Sequence, residues 1–464
     1  MILKNAKIFS EGLIRNGIIH FDKELIKNVI FNPKEKQLIK LAKKNLDNRE
    51  IDCKNKLILP GIIDIHAHLR DMEQSNKETF LTGTKAAAFS GITTVFNMPN
   101  TKPPAITIDQ IKVWMQKAEN NIYVDVGFIA GVPKEIDENI IKKIIELGII
   151  GFKIYPLSPI SGIDWTNSSN IIKILDISSK YQIPIFIHAS FPLSQIEKDQ
   201  IRQQFYENSE SVLKYHNLYD NTKAEEKYVK LIIDSYQLYI LNDQLTPKQY
   251  PIIHFCHISC IESYSVIKKI QDFNHNFKIS FEVTPHHLLL SDKIQLKNKN
   301  IGKVQPPLRD EKNSSFLFDQ LKEGHIKLIG TDHAPHTIQE KRQNFSEAPS
   351  GFPGFETYPL LILDKVFNYK LSLEKFVQIA SENPAKIFNL KKKGFIKKGY
   401  NADLIIIDKV PEFLIDPRNF KTKAKFTPFE GYKTTVKIWK VFLRGLEINL
   451  ENSVPNGKII KRFL

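Results

Sequence analysis

Eight short apolar runs recur through the middle of the chain. They are "LILPGIIDIHAH" (57–68), "GITTVFNMP" (91–99), "YVDVGFIAGV" (123–132), "GIIGFKIYP" (148–156), "QIPIFIHAS" (182–190), "YPIIHFCHIS" (250–259), "FKISFEVTPHHL" (277–288) and "IKLIGTDHAPH" (326–336). They are rich in β-branched and aromatic residues and short for helices, so they read as strands. Several of the stretches between them, such as "TIDQIKVWMQKAEN" and "ENIIKKIIELG", suit helices. Strands alternating with helices predict a parallel sheet, and eight such units predict an α/β fold of the (β/α)8 TIM-barrel type. The flanks differ. "LKNAKIF", "NGIIHFD", "ADLIIID" and "VKIWKVFLRG" are short alternating runs. Residues 1–54 and 391–464 are therefore expected to form one composite small β-sandwich domain, with the barrel over 55–390 between its halves. The long interval 190–250, with its amphipathic stretch "AEEKYVKLIIDSYQLYIL", is expected to cover the crossover from the fifth to the sixth strand.

Several of the runs start apolar and acquire His, Asn, Lys or Asp at their C-terminal ends, the end at which barrel enzymes carry their chemistry. Such groups are costly to bury without a purpose. Residues i and i+2 of a strand face the same way, so His66, His68 and Arg70 share a face. Two imidazoles on one face can bind a metal ion, although two half-buried histidines with backbone partners would give the same motif. His188 ends the fifth run, His254 and His257 lie on the sixth, and Asp332 ends the eighth. Lys153 sits on the fourth. A buried lysine must be paired or neutralised. It could bond a barrel carboxylate or be carboxylated by CO2 to an anionic ligand, and the neighbouring histidines favour the second.

Composition changes this picture little. With 66 basic and 51 acidic residues the formal charge is +15. The lysines are scattered, as in "NLKKKGFIKKG", with no basic arm, zinc-finger spacing or RNA-binding aromatic motif. Nucleic acid is therefore not an expected partner, while a basic surface could gather an anionic metabolite. Three cysteines, Cys53, Cys256 and Cys260, form no CxxC pair and fit a reducing cytoplasm. "MILKNAKIFSEG" reads as strand and turn, and no apolar run approaches the ~20 residues of a spanning helix. A cytoplasmic, non-membrane protein is expected.

Taken together, "DIHAHLRD", "NMPNTKPP", "HFCHIS", "EVTPHHLLLSD", "VQPPLRDE", "GTDHAPHTIQEK", "SGFPGFET" and "GYNADLIIID" resemble the dihydroorotases of the amidohydrolase superfamily over nearly the whole chain. The resemblance implies two zinc ions per chain. His66 and His68 would hold the first with Asp332 nearby, His188 and His257 the second, and carboxylated Lys153 would bridge them with a hydroxide. It makes Asp332 the general base. It assigns Arg70, assisted by Asn100, to the substrate carboxylate, His336 to a further substrate contact, and backbone groups of Gly351 to Gly354 to the ring amide. His254 matches a metal position less well than His257 and reads as a core or supporting residue. The implied reaction is the reversible cyclisation of N-carbamoyl-L-aspartate to (S)-dihydroorotate in pyrimidine synthesis. A homodimer or association with aspartate transcarbamoylase would fit. The competing readings are another cyclic amidase (allantoinase, or a hydantoinase or dihydropyrimidinase), a non-catalytic partner of aspartate transcarbamoylase, and a basic nucleic-acid binder. Three departures stand out. "AS" follows His188 where relatives commonly have an acidic residue. Gln305 stands where they often carry Asn. "PLSPISGIDW" does not closely match the substrate-capping loop of some relatives.

Overall fold

The computed structural model describes residues 1–34, 49–208, 212–449, 451 and 453–462, with side chains omitted at 204–208. The part of the expected small domain at 35–48 lies outside the described residues. The chain opens with β1 (Ile2–Ser10), β2 (Leu13–Asp22), β3 (Leu25–Phe31), β4 (Glu50–Asp52) and β5 (Leu57–Pro60). Seven strands follow: β6 (Ile62–Ala67), β7 (Ile92–Asn97), β8 (Asp125–Gly131), β9 (Gly151–Ile154), β10 (Pro184–His188), β11 (Ile252–Cys256) and β12 (Ile279–Phe281). β13 (Leu404–Leu414), β14 (Lys433–Leu443), β15 (Leu446–Glu447) and β16 (Ile459–Ile460) close the chain.

Strands β6 to β12 pair in parallel, each beside the next in sequence. The eighth run completes the barrel without forming a regular strand. Val283 pairs with Ile329 and Ala67 with His333 as single bridges, and the His68 amide donates to the His333 carbonyl at 2.7 Å. The irregularity has a local cause: Asp332 adopts a left-handed backbone (φ +48°), which interrupts a ladder. The flanking runs are strands as expected, in the order β15-β14-β13-β5-β1-β2-β3 with β4 also on β1. They enclose a core of Leu3, Ile8, Ile19, Phe21, Ile58, Leu404, Ile406 and Phe442.

Two details differ from the sequence reading. The run 57–68 is two strands. Its first half, β5, pairs with β1 and β13, and only its second half enters the barrel. The break falls at Gly61, where a Cβ would meet the Thr93 side chain at 2.3 Å. The chain end also returns to the barrel sheet, where β16 pairs in parallel with β8.

The barrel helices follow from pattern and capping. In the helix Glu138–Glu146, Asp137 caps the Ile140 amide, and Ile141, Ile144 and Ile145 form the buried stripe. The helix Thr222–Asn242 lies in the expected crossover and buries Tyr228, Val229, Ile232, Ile233 and Tyr236 together with one carboxylate, Glu225. The stacked rings of Phe186 and Phe388, 5.4 Å apart, belong to an apolar cluster that also contains Ile63, Ile65, Phe96 and Leu328. No helix among the described residues is long and apolar enough to cross a membrane.

Candidate active site

The C-terminal ends of the barrel strands surround a cavity of about 190 Å³. It is lined by His66, His68, Arg70, Asn100, Tyr155, His188, His257, Gln305, Asp332 and Gly351, with Leu157 and Ser158 from the loop after β9. Most of the residues singled out in the sequence therefore meet in one place. Lys153 and His336 stand just behind the wall. Lys153 is buried with its ammonium 5.2 Å from the Tyr155 ring centre, and His336 lies against Arg70 and Ser350.

His66, His68 and Asp332 each bring one ligand atom within 4.8 Å of the others. Asp332 Oδ1 lies 3.0 Å from His68 Nε2 and 3.4 Å from His66 Nε2. The far nitrogens are engaged too. His66 Nδ1 bonds Glu282, and His68 Nδ1 lies 2.6 Å from Asn100 Oδ1. Each of these partners is an acceptor, so the far nitrogens carry protons; in neutral His68 the near nitrogen then turns a lone pair toward the Asp332 carboxylate, whereas His66, charged beside Glu282 without a metal, donates from both. A cation among them resolves that conflict. On the opposite side, His188 Nδ1 and His257 Nε2 are 3.0 Å apart, while His188 Nε2 and His257 Nδ1 are buried without a partner. Burial pushes His188 down to about 3 and His68 to about 4, and holds His257 well below the ordinary imidazole range. These are neutral imidazoles, the form that ligates metal. Burial pulls His66 down as well, but Glu282 leads the charges that instead raise it to about 10. The donor set thus fits a metal centre.

Lys153 answers one of the open alternatives. It bonds the Cys256 thiol at 2.7 Å and forms no ion pair with a carboxylate among the described residues. Arg70 is also clear of its neighbour. Asp71 accepts from the Met72 and Phe80 amides, at 2.8 and 2.9 Å, and pins the turn in which Arg70, Asp71 and Met72 are all left-handed. Three such non-glycine residues in a row are strained and persist only where their surroundings fix them.

Other residues fall differently from expectation. Asn100 puts its oxygen on His68, which leaves its amide nitrogen as the group available to a ligand. Gly354 does not face the cavity, because its amide donates to His333 Nδ1 at 3.1 Å. Gly351 does line it, but its amide is engaged by the Lys303 carbonyl at 2.9 Å. Its φ is +121°, and a Cβ there would sit 2.7 Å from both the Cβ and the carbonyl oxygen of Ala334. Gly351→Ala is therefore expected to cost about 1–3 kcal/mol. The check is apparent Tm beside Gly162→Ala, which shares a positive φ but has nothing within 4 Å. Equal shifts would show that the contact with Ala334 is harmless.

His254 belongs to neither group of candidate metal ligands among the described residues. It bonds Ser280 Oγ at 2.9 Å and Glu282 Oε2 at 3.3 Å. Glu282 thus links His254 to His66, a role missed in the sequence because one Glu after "FKISF" looks like an ordinary strand end. Asp64 was also missed. It ties β6 to the eighth run by accepting from the Thr331 amide at 3.0 Å and the Thr331 hydroxyl at 2.5 Å. The departure after His188 has a structural answer: Ser190 donates to Asp220. Asp220 and Glu225 share a buried cluster with Arg309, whose Nη2 lies 3.0 Å from Glu225 Oε2. The acids come from the β10–β11 crossover, not from the strand end.

Comparison with known proteins places this geometry. Residues 57–459 match the amidohydrolase family. A dihydroorotase of Methanosphaera stadtmanae is 32% identical over 460 residues, 98% of this chain and 97% of that one. A dihydroorotase of Pyrococcus abyssi is 35% identical over 415 residues, 89% of this chain and 88% of that one. Among solved structures, an L-hydantoinase (dihydropyrimidinase) from Arthrobacter aurescens superposes with a TM-score of 0.85 at 24% identity, covering 99% of each chain. A D-hydantoinase (dihydropyrimidinase) from Thermus sp. gives 0.82 at 22% identity, covering 99% of this chain and 98% of that one. These structures share the fold. With the match spanning the barrel and the candidate metal ligands gathered at its mouth, the chain belongs to the amidohydrolase family and is a hydrolase acting on cyclic amides.

Proposed function

We propose that this chain is a zinc-dependent dihydroorotase, interconverting N-carbamoyl-L-aspartate and (S)-dihydroorotate in pyrimidine synthesis. The observation that carries the reading is Arg70. Its guanidinium is buried, faces the same cavity as the histidines, and has no carboxylate partner among the described residues. A buried guanidinium calls for a planar anion. Dihydroorotate carries a carboxylate, whereas the rings of allantoin and dihydrouracil are uncharged. The relatives named dihydroorotase support the same substrate.

On this reading His66, His68 and Asp332 would hold one zinc ion, His188 and His257 a second, and carboxylated Lys153 would serve both. The amine of Lys153, bonded to the Cys256 thiol but with no carboxylate partner among the described residues, supports the carboxylation, since a carbamate replaces a buried cation with an anion among imidazoles. When bound, the ions supply Lewis acidity at the scissile carbonyl and lower the pKa of water. Asp332 takes a proton from the attacking water and gives it to the ring nitrogen as the C–N bond breaks; cyclisation runs the same transfer backwards. Arg70, helped by the amide of Asn100 and backed by His336, holds the substrate carboxylate and so fixes the reacting amide against Asp332.

The test is ring opening of dihydroorotate by the purified chain, beside allantoin and dihydrouracil, before and after chelation and zinc return. Activity on dihydroorotate alone, lost with the metal and restored by zinc, is the expected result. Turnover only of the uncharged rings would move the chain to another cyclic amidase and remove the role given to Arg70.

A further inference from the structure

We propose that Lys77 keeps the fork of Arg70 open for substrate by fixing the tautomer of His336. The kinetic part of this inference rests on the dihydroorotase reading; the structural part stands without it.

Lys77 lies two residues before Thr79, the N-cap of the helix Phe80–Phe89. Its Nζ is 3.1 Å from His336 Nδ1 and 2.7 Å from Glu340 Oε1. An ammonium can only donate, so Nδ1 must accept. The other ring nitrogen, Nε2, lies 3.0 Å from the Ser350 carbonyl, which can only accept. The imidazole is held neutral. Burial pushes it down to about 3, and Arg70, Lys77 and Lys341 add to that against the opposing Glu340. One proton is then available, and both neighbours put it on Nε2.

This matters because Arg70 Nη2 lies 3.2 Å from the same Nε2. With Nε2 protonated, donor faces donor and no bond forms. The guanidinium hydrogens on that side stay free for a ligand in the cavity that Arg70 and Ser350 line. In the other tautomer Nε2 would accept from Arg70 and occupy the fork. The Ser350 carbonyl would lose its donor, and the Nδ1 proton would face Glu340 Oε2 at 3.7 Å, beyond hydrogen-bond reach. Lys77 also holds Glu340 Oε1 at 2.7 Å, so without Lys77 that oxygen is free to turn and accept from Nδ1, and the other tautomer gains a partner. Lys77 is thus a positioning residue, acting on Arg70 through His336.

Two measurements on the zinc-loaded full chain test it. Long-range proton–nitrogen correlation spectra of histidine-labelled protein read the tautomer of His336 directly, without substrate. The expected result is Nε2–H in the unmodified chain, loss of that preference in Lys77→Met, and its return in Lys77→Arg. In kinetics, Lys77→Met should raise KM for dihydroorotate by about tenfold, the loss expected of one charge-assisted hydrogen bond, with kcat nearly unchanged. Lys77→Arg should restore KM. Nδ1–H in the unmodified chain would overturn the proposal, as would Lys77→Met with tautomer and KM both unchanged. If the unmodified chain does not turn over dihydroorotate at all, the substrate assignment fails while the tautomer spectrum still decides the role of Lys77.

Discussion

Asp332→Asn is expected to keep the fold and lose about a thousandfold in kcat, within the range contributed by a positioned general acid or base. The substitution keeps shape but removes the oxygen that the proposed mechanism uses to hold the proton. Asp332 has a left-handed backbone that asparagine also tolerates, so local strain is not added. Its carboxylate lies within 3.0 Å of His68 and 3.4 Å of His66, and the imidazoles oppose burial strongly enough to hold it well below the usual carboxylate range. It is thus ionised and able to accept a proton. The check is kcat on dihydroorotate with zinc content and apparent Tm measured on the same preparation. Near-normal turnover at full zinc content would remove Asp332 from the proton transfer.

Arg309→Ala is expected to have the largest effect on stability, about 3–5 kcal/mol. The side chain is fully buried and donates to Glu225 Oε2 at 3.0 Å, Ser259 Oγ at 2.9 Å and Asn217 Oδ1 at 2.5 Å, and to the Asp220 carbonyl. Removing it leaves the carboxylates of Glu225 and Asp220 buried without their cation. The damage comes from those stranded charges, so Arg309→Met combined with Glu225→Gln should cost less than the sum of the two single changes. Urea denaturation, or unfolding rates where refolding fails, measures both. Strictly additive losses would mean that the cluster is not a unit.

What the sequence disclosed was whatever repeats or sits beside its own partner. The apolar runs, the helical stripes and the pair His66 and His68 have local signatures of period and spacing. Arg309 and Glu225 have none. They are 84 positions apart, and each reads alone as a surface charge. Glu282 meets His66 across 216 positions, and Lys77 meets His336 across 259. The irregular eighth strand was likewise illegible, because nothing in "GTDHAPH" announces a left-handed aspartate. The motif resemblance pointed to candidate ligands that spacing alone could not, but not to the groups that orient them.

The pairing of β5 with β13 also sets a timetable. Ile58 lies beside Ile406, so the strand that leads directly into His66 and His68 lacks one neighbour until about 350 further residues have been made. At typical synthesis rates of roughly 5–20 residues per second, that edge stays open for about 20–70 s on every ribosome. Leu57 and Ile58 sit on this waiting edge, and an unpaired apolar strand invites wrong partners. Faster synthesis of the middle of this chain should therefore shorten the exposure and raise the soluble yield.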